Sequence, residues 1–246
     1  MTEFYFYFIA VVGVVFVALV IVNHFSKSTT DTIEISNQIT VIIPFRDEAS
    51  NLERLFESLK NQTRLPAQII FVNDHSSDFS VEIINEYLHY NPNAMLMNLA
   101  TNQVGKKYAI RLAMKSVNTK YCLTIDADTW FNANFFEKMT VINREDMQIR
   151  PVVMKSASFI GRFACLEHAF FNALNKILAP IYVLSASGAN LLFKKATFNQ
   201  LDDINTHKHI ASGDDHYLLR NFQSGKAKIT ITSDKDDIIF TKSTNS

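Results

Sequence analysis

Apolar residues along this chain fall into short β-branched runs, separated by stretches in which they recur every three or four positions. Ile39-Thr40-Val41-Ile42-Ile43-Pro44, Ile69-Ile70-Phe71-Val72, Ala94 to Leu99 and Tyr121 to Ile125 read as buried strands bounded by turn residues. Pro44 stops the first of them. Helices are expected between these runs. One starts at Ser50 or Asn51 and continues to about Lys60, with Leu52, Leu55, Phe56 and Leu59 on one stripe. A second carries Val81, Ile83, Ile84, Tyr87 and Leu88, and a third runs from about Lys106 to Val117 behind Gly105. Strands alternating with helices at this spacing predict an α/β fold with a mostly parallel central sheet and helices on both faces.

The pattern loosens farther on. Asn132 to Asn143 reads as a helix and Ile149 to Met154 as a strand. Ile160 to Leu178 reads as a long apolar helix ended by Pro180, with Glu167-His168 as a satisfied core pair. Leu191-Leu192-Phe193 is a strand, and Ser212-Gly213-Asp214-Asp215 opens a helix to about Gln223, with Gly225 as its stop. Lys228 to Thr232 and Ile238 to Thr241 are the last expected strands.

The N-terminal pattern differs from all of this. Phe4 to Val22 is apolar and free of charge. About 19 such residues suffice to cross a bilayer core of roughly 30 Å. Aromatic residues crowd its start, as at a membrane interface, and no basic segment precedes it as in a signal peptide. Residues 1–25 are therefore expected to be a single-pass anchor in the cell (inner) membrane. A cleaved signal and a buried helix are the weaker readings. Lys27 follows the run and no Lys or Arg precedes it, which puts the bulk of the chain in the cytoplasm. The polar residues 26–38 read as a linker, and the domain proper as 39–246.

Composition changes this picture little. Of 246 residues, 48% are hydrophobic, enough for a sizeable core, and 24 basic residues balance 24 acidic ones. A net charge of zero gives no field for nucleic acid, which is excluded as a partner. Cys122 and Cys165 form neither a metal-ligand spacing nor a disulfide framework and are read as packing residues.

Candidate chemistry lies in four polar clusters at strand ends or helix starts: Arg46-Asp47-Glu48, Asn73-Asp74 with Asp78, Asp126 with Asp128, and Asp214-Asp215. In a parallel sheet the carboxyl ends of strands share one edge, where open α/β folds bind ligands. Residues i and i+2 of an extended chain face the same side, so Asp126 and Asp128 can line one pocket. Alone, an Asp-x-Asp is an ordinary turn. Several carboxylates on one edge need a cation to be tolerable, and two of them suit a hard divalent ion that also holds phosphate oxygens.

The ordered set of motifs resembles the family-2 glycosyltransferases, inverting nucleotide-sugar enzymes of the GT-A fold. The resemblance rests on Val41-Ile42-Ile43-Pro44-Phe45-Arg46-Asp47-Glu48, Val72-Asn73-Asp74-His75-Ser76-Ser77-Asp78, Gly105-Lys106-Lys107-Tyr108-Ala109-Ile110, Asp126-Ala127-Asp128, Gly188-Ala189-Asn190 and Gly213-Asp214-Asp215-His216-Tyr217-Leu218. It implies that Pro44, Arg46 and Glu48 sit by the nucleoside and that Asp74 accepts from a base N–H. Lys106 or Lys107 then meets the diphosphate, and Asn190 and Asp214 join the substrate site. Asp126 touches the ribose or the metal, Asp128 binds Mn²⁺ or Mg²⁺ directly, and Asp215 is the general base. His75, in a turn position, is expected to be structural. The implied partners are a UDP- or GDP-linked sugar donor, a glycan or lipid acceptor, and the membrane.

Processive members carry a Gln-x-x-Arg-Trp segment after the base-bearing helix. Trp130 is the only tryptophan here, so a shortened chain or a compact non-processive member is expected. A nucleotidyltransferase is the second enzyme reading. It would need a Gly-rich phosphate loop where Phe45-Arg46-Asp47-Glu48 stands. A catalytically inactive GT-A domain serving as a binding or assembly subunit is the third, against which Asp126, Asp128 and Asp215 argue.

Overall fold

The computed structural model describes residues 32–142, 145–179, 181–203, 214–232 and 234–242. In chain order the strands are β1 (Thr32–Glu34), β2 (Ile39–Phe45), β3 (Gln68–Asn73), β4 (Ala94–Asn98), β5 (Tyr121–Thr124) and β6 (Trp130–Phe131). They continue as β7 (Thr140–Ile142), β8 (Met147–Ile149), β9 (Val152–Lys155), β10 (Leu191–Lys194), β11 (Ile229–Ile231) and β12 (Ile239–Lys242). The helices are α1 (Ala49–Lys60), α2 (Ser80–Tyr90), α3 (Lys106–Met114), α4 (Phe159–Leu178), α5 (Lys195–Leu201) and α6 (Asp214–Ser224).

The β-branched runs build a seven-stranded sheet in the order β11-β8-β10-β5-β2-β3-β4. β2 is parallel to β3 and β5, β3 to β4, and β8 to β11, whereas β10 is antiparallel to both its neighbours. The expected mostly parallel α/β architecture is what forms. Both faces are covered, which is why the central strands are apolar throughout rather than alternating. Val41, Ile43 and Phe71 pack with Leu52, Leu55 and Leu59 of α1 and Ile84 of α2. Ile42, Ile70 and Val72, turned the other way, pack with Ala109, Ile110 and Ala113 of α3 and Phe222 of α6. Phe56 stacks on Tyr87 at 4.2 Å between ring centroids, with Phe71 edge-on to both.

Several local expectations are corrected. Thr32–Glu34, read as linker, pairs antiparallel with β7, and Ile35 is fully buried. Of the segment Asn132 to Asn143, read as a helix, residues 132–142 instead form turns and then β7, with Phe135, Phe136 and Met139 fully buried, and Asn143 lies outside the described residues. The segment's apolar spacing fits either form, and pairing with the distant β1 decides. The expected strand Ile149 to Met154 is two strands. Pro151 has no N–H to donate, and the chain passes there from the large sheet to a small one of order β6-β12-β9. Neither Ser50 nor Asn51 caps α1, whose N-cap is Glu48. Glu167 is exposed and His168 half-buried, so they are not a core pair. Among the described residues no helix is long and apolar enough to cross a membrane, and Phe4 to Val22 lies outside them.

The join between the two sheets is polar. Arg150, its side chain fully buried, donates to Asp237 and Gln148. Asp237 also accepts from the Thr232 hydroxyl at 2.7 Å. Burial pushes the Arg150 pKa down and that of Asp237 up, and each charge opposes the shift of the other. Removing one partner of such a pair leaves an uncompensated buried charge. Asp237→Ala should therefore destabilise the chain by about 3–5 kcal/mol, read as a lower urea midpoint. Lys138→Ala, which breaks the exposed pair of Lys138 with Asp236 (2.9 Å), should leave that midpoint nearly unchanged.

Candidate active site

Parallel pairing brings three sequence clusters to one edge. Phe45 at the end of β2 lies opposite Asn73 at the end of β3, and Ile42 lies opposite Thr124, the last residue of β5. The loops after these strands carry Arg46–Glu48, Asp74–Asp78 and Asp126–Asp128. The expected convergence of carboxylates is thus present. Asp126, Asp128 and Asp78 are all close enough to Glu48 to raise its pKa, after burial as the largest cause.

The first two loops brace each other. Asp47 adopts φ 55°, and its Oδ1 accepts from the Ser77 N–H at 2.6 Å, the Ser77 hydroxyl at 3.1 Å and the Asp78 N–H at 3.3 Å. In return the Ser76 hydroxyl accepts from the Asp47 N–H at 3.1 Å and the Ser80 hydroxyl from the Glu48 N–H at 2.8 Å. Asp78 Oδ2 takes the Ala49 N–H at 3.0 Å, so the first turn of α1 is capped from the neighbouring loop. Its Oδ1 takes the Ser80 N–H at 3.0 Å. These bonds favour the ionised forms and hold Asp47 and Asp78 below the usual carboxylate range, through Ser77 first for Asp47 and Ser80 first for Asp78. Both carboxylates are engaged by the scaffold. Arg46 is exposed, Pro44 and Glu48 are half-buried, and Glu48 accepts from the Asn51 amide at 2.7 Å.

Asp74 is 8% exposed. Its Oδ2 accepts from the Gly105 N–H at 2.9 Å, whereas Oδ1 is buried without a hydrogen-bond partner. Gly105 makes that contact at φ 102°, a conformation that side-chain-bearing residues rarely adopt. His75 has φ 61° and its Nε2 lies 2.9 Å from the Gln103 carbonyl, the structural role expected of it. Lys106, the first residue of α3, places its Nζ 2.5 Å from Asp126 Oδ1. Lys107, by contrast, is buried, with its ammonium 5.6 Å from the Tyr108 ring centroid.

The Asp-x-Asp turn is tied at both ends. The Thr129 hydroxyl donates to the Asp126 carbonyl at 2.6 Å, and Thr241 on β12 donates to Asp128 Oδ2 at 2.8 Å. Thr241 was missed by sequence reasoning. It lies 113 residues from its partner, and no local signal links them. Burial raises the Asp128 pKa and Asp126 raises it further, against the Thr241 hydrogen bond. Asn190 is fully buried. Its amide donates to the carbonyls of Pro151 at 2.9 Å and Asp237 at 2.8 Å, and its Oδ1 has no partner. It is a strut between the sheets with no exposed surface to offer a substrate. α6 begins at Asp214, as the motif predicts, and the side chains of Asp214 and Asp215 lie outside the described residues.

A carboxylate edge closing the mostly parallel sheet defines the class: an α/β domain with a charged site at the carboxyl ends of its strands. Residues 40–142 match the family model "Glycosyl transferase family 2", and the chain is similar to proteins of that family. It is 31% identical over 111 residues to the glycosyltransferase YibD of Escherichia coli K12, covering 45% of this chain and 32% of that protein. It is 29% identical over 201 residues to the 4,4'-diaponeurosporenoate glycosyltransferase of Staphylococcus haemolyticus, covering 79% of this chain and 52% of that protein. The fold is similar to that of a mannosyltransferase from Pyrobaculum calidifontis solved with GDP-Man and Mn²⁺. The TM-score is 0.63 at 17% identity, covering 94% of this chain and 66% of that one. The chain thus spans about a third to a half of the curated relatives named here.

The raised pKa values carry a stability consequence. Between the ordinary carboxylate value and the raised one, the folded chain binds more protons at Asp128 and Glu48 than the unfolded chain does. These groups therefore add stability as pH falls through that window and lose it as pH rises. Asp128→Asn keeps an acceptor for Thr241 and removes one such charge. In chelator, the variant should melt no lower than the wild type at neutral pH. Its Tm should also fall less between about pH 4 and pH 7, where ordinary carboxylates ionise.

Proposed function

We propose that this chain is an inverting, metal-assisted glycosyltransferase that moves a sugar from a UDP- or GDP-linked donor to a hydroxyl of a glycan or lipid acceptor. The observation that carries the reading is the pairing of Asp74 with Asp126 and Asp128 on one edge. Asp74 Oδ1, a buried acceptor without a partner, faces the requirement that buried polar atoms be paired. A uracil or guanine imino N–H meets it, because an ionised carboxylate only accepts. Pro44, Arg46 and Glu48 flank the nucleoside from the neighbouring loop. Lys106, held beside Asp126, sets a positive charge where the diphosphate lies.

Asp128 and Asp126 are the residues that would hold Mn²⁺ or Mg²⁺. The fit is chemical: the half-buried Asp128 carboxylate, with the Asp126 charge beside it, is relieved by a hard cation, whose other positions phosphate and water can fill. When bound, the ion neutralises the leaving diphosphate as a Lewis acid. Mn²⁺ in the mannosyltransferase complex supports the same chemistry. Asp215, second residue of α6, takes the proton from the acceptor hydroxyl, and Asp214 supports it. One direct displacement opposite the departing nucleoside diphosphate inverts the anomeric centre without a covalent intermediate. Residues 1–25 anchor the chain in the cell membrane with the catalytic domain in the cytoplasm, a reading that rests on the charge-free run and on Lys27.

The test uses the full chain. UDP or GDP should raise Tm more with Mn²⁺ or Mg²⁺ than with chelator, and Asp128→Ala should abolish the difference. Asp215→Asn should cost about 10²-fold or more in kcat with donor binding nearly intact, and Asp214→Asn should cost less. A dead Asp214→Asn beside a normal Asp215→Asn would reverse the assignment. Equal nucleotide shifts with metal and with chelator would remove the metal from the proposal.

A further inference from the structure

Helix α4 is assembled inside out. Its inward side is small or polar. Gly161 and Asn175 are buried, the Asn172 amide donates to the Val152 carbonyl at 3.3 Å, and Asn175 accepts from the Leu184 N–H at 2.8 Å and donates to the Ser185 carbonyl at 2.7 Å. Its outward side carries Phe159, Ile160, Phe163, Leu166, Phe170 and Phe171, each more than half exposed. Their spacing places them along one side of the helix. Ile181 and Tyr182 extend this exposed apolar surface beyond its end. A surface helix in water is oriented the other way, and a contiguous exposed apolar patch marks an interaction site. The 20 residues of α4 make a rod about 30 Å long with Arg162 and Lys176 off the apolar arc and the exposed Glu167, four residues from both Phe163 and Phe171, within it. These charges suit a helix lying along a bilayer rather than across it.

We propose that this face of α4 lies in the interfacial layer of a lipid bilayer. The proposal rests on the anchor reading of Phe4 to Val22 and adds which face of the domain meets lipid. Residues 23–31 join that run to β1. Fully extended, at about 3.3–3.6 Å per residue, they reach roughly 30 Å. A domain of this size has a radius of gyration of roughly 17 Å. The tether therefore holds the domain within about its own diameter of the bilayer, close enough for one face to rest on it. α4 presents the apolar face, and Arg162 and Lys176 on the same helix complement anionic headgroups. The placement also joins lipid to chemistry. α4 packs on β9, β9 pairs with β12, and Thr241 of β12 donates to Asp128. A bilayer under α4 thus lies beside the small sheet that steadies the Asp-x-Asp turn, which suits an acceptor delivered from the membrane.

The test places single nitroxide labels at Phe163→Cys, Phe170→Cys and, as a control on exposed α2, Glu82→Cys, all with Cys165→Ser. The full chain is reconstituted into phosphatidylethanolamine–phosphatidylglycerol vesicles. Collision with oxygen relative to a water-soluble nickel chelate should be several-fold higher at 163 and 170 than at 82. The double variant Phe163→Glu/Phe170→Glu should keep its detergent Tm, because both rings are exposed, and should turn a label at Leu166→Cys aqueous. Aqueous labels at 163 and 170 in vesicle-bound chain would overturn the proposal and leave the anchor standing. Spin–spin broadening that vanishes on dilution with unlabelled chain, without oxygen preference, would assign the face to a second copy and equally overturn it. A chain that does not float with vesicles would sink the anchor reading, and this proposal with it.

Discussion

Phe45 lies beside Asn73 and Ile42 beside Thr124 because β2 pairs in parallel with both β3 and β5. That register is what the site depends on. It ends three strands on one side of the sheet and aims their loops at a common space. A slip of one residue would turn the apolar side chains of a strand to the opposite face. The core resists this, since Val41 and Ile43 are committed to the α1 side and Ile42 to the α3 side. Packing on two faces therefore fixes the position of charges that themselves make no contribution to the core.

Gathering carboxylates this way costs electrostatic energy, and the protein divides them by role. Asp47 takes N–H and hydroxyl groups of the facing loop, Asp78 takes the Ala49 N–H at the end of the facing loop and the Ser80 N–H at the end of its own, and both are held below their usual range. They join two connections into one braced unit. Asp128 and Glu48 are driven upward by burial and by their neighbours. Asp74 is half satisfied, by a backbone N–H that only a residue comfortable at positive φ presents there. The residual imbalance lies where the resemblance expects nucleotide and cation to bind. A site that is electrostatically incomplete by itself is a site whose ligand supplies the missing charge and donors.

The small sheet extends the same logic. Pro151 ends one strand run, and Arg150, Asp237 and Asn190 hold the change of direction with buried polar contacts. From that join β12 reaches back to Asp128 while β9 carries α4. The polar seam thus links the carboxylate edge to a helix that shows its apolar side to the surroundings.

Local residue order determined the elements of the first half of the domain. β-branched runs with turn residues at their ends, and helical stripes between them, can form little else, so the parallel sheet and its charged edge were legible in the sequence. So was the structural part of His75. What the sequence left undecided depended on partners far along the chain. The strand at Thr32–Glu34 is polar enough to pass for linker and exists through pairing with β7. Phe135, Phe136 and Met139 suit a helix as well as a buried turn, and that same pairing selects the turn. Asn190 lies in a motif that suggests a ligand contact, yet burial makes it a strut. The outward face of α4 reads as core in one dimension, because apolarity alone does not say which way a helix is rotated. Only the tertiary structure decided that, when Asn175 found carbonyl and amide partners inside and the aromatic side was left exposed.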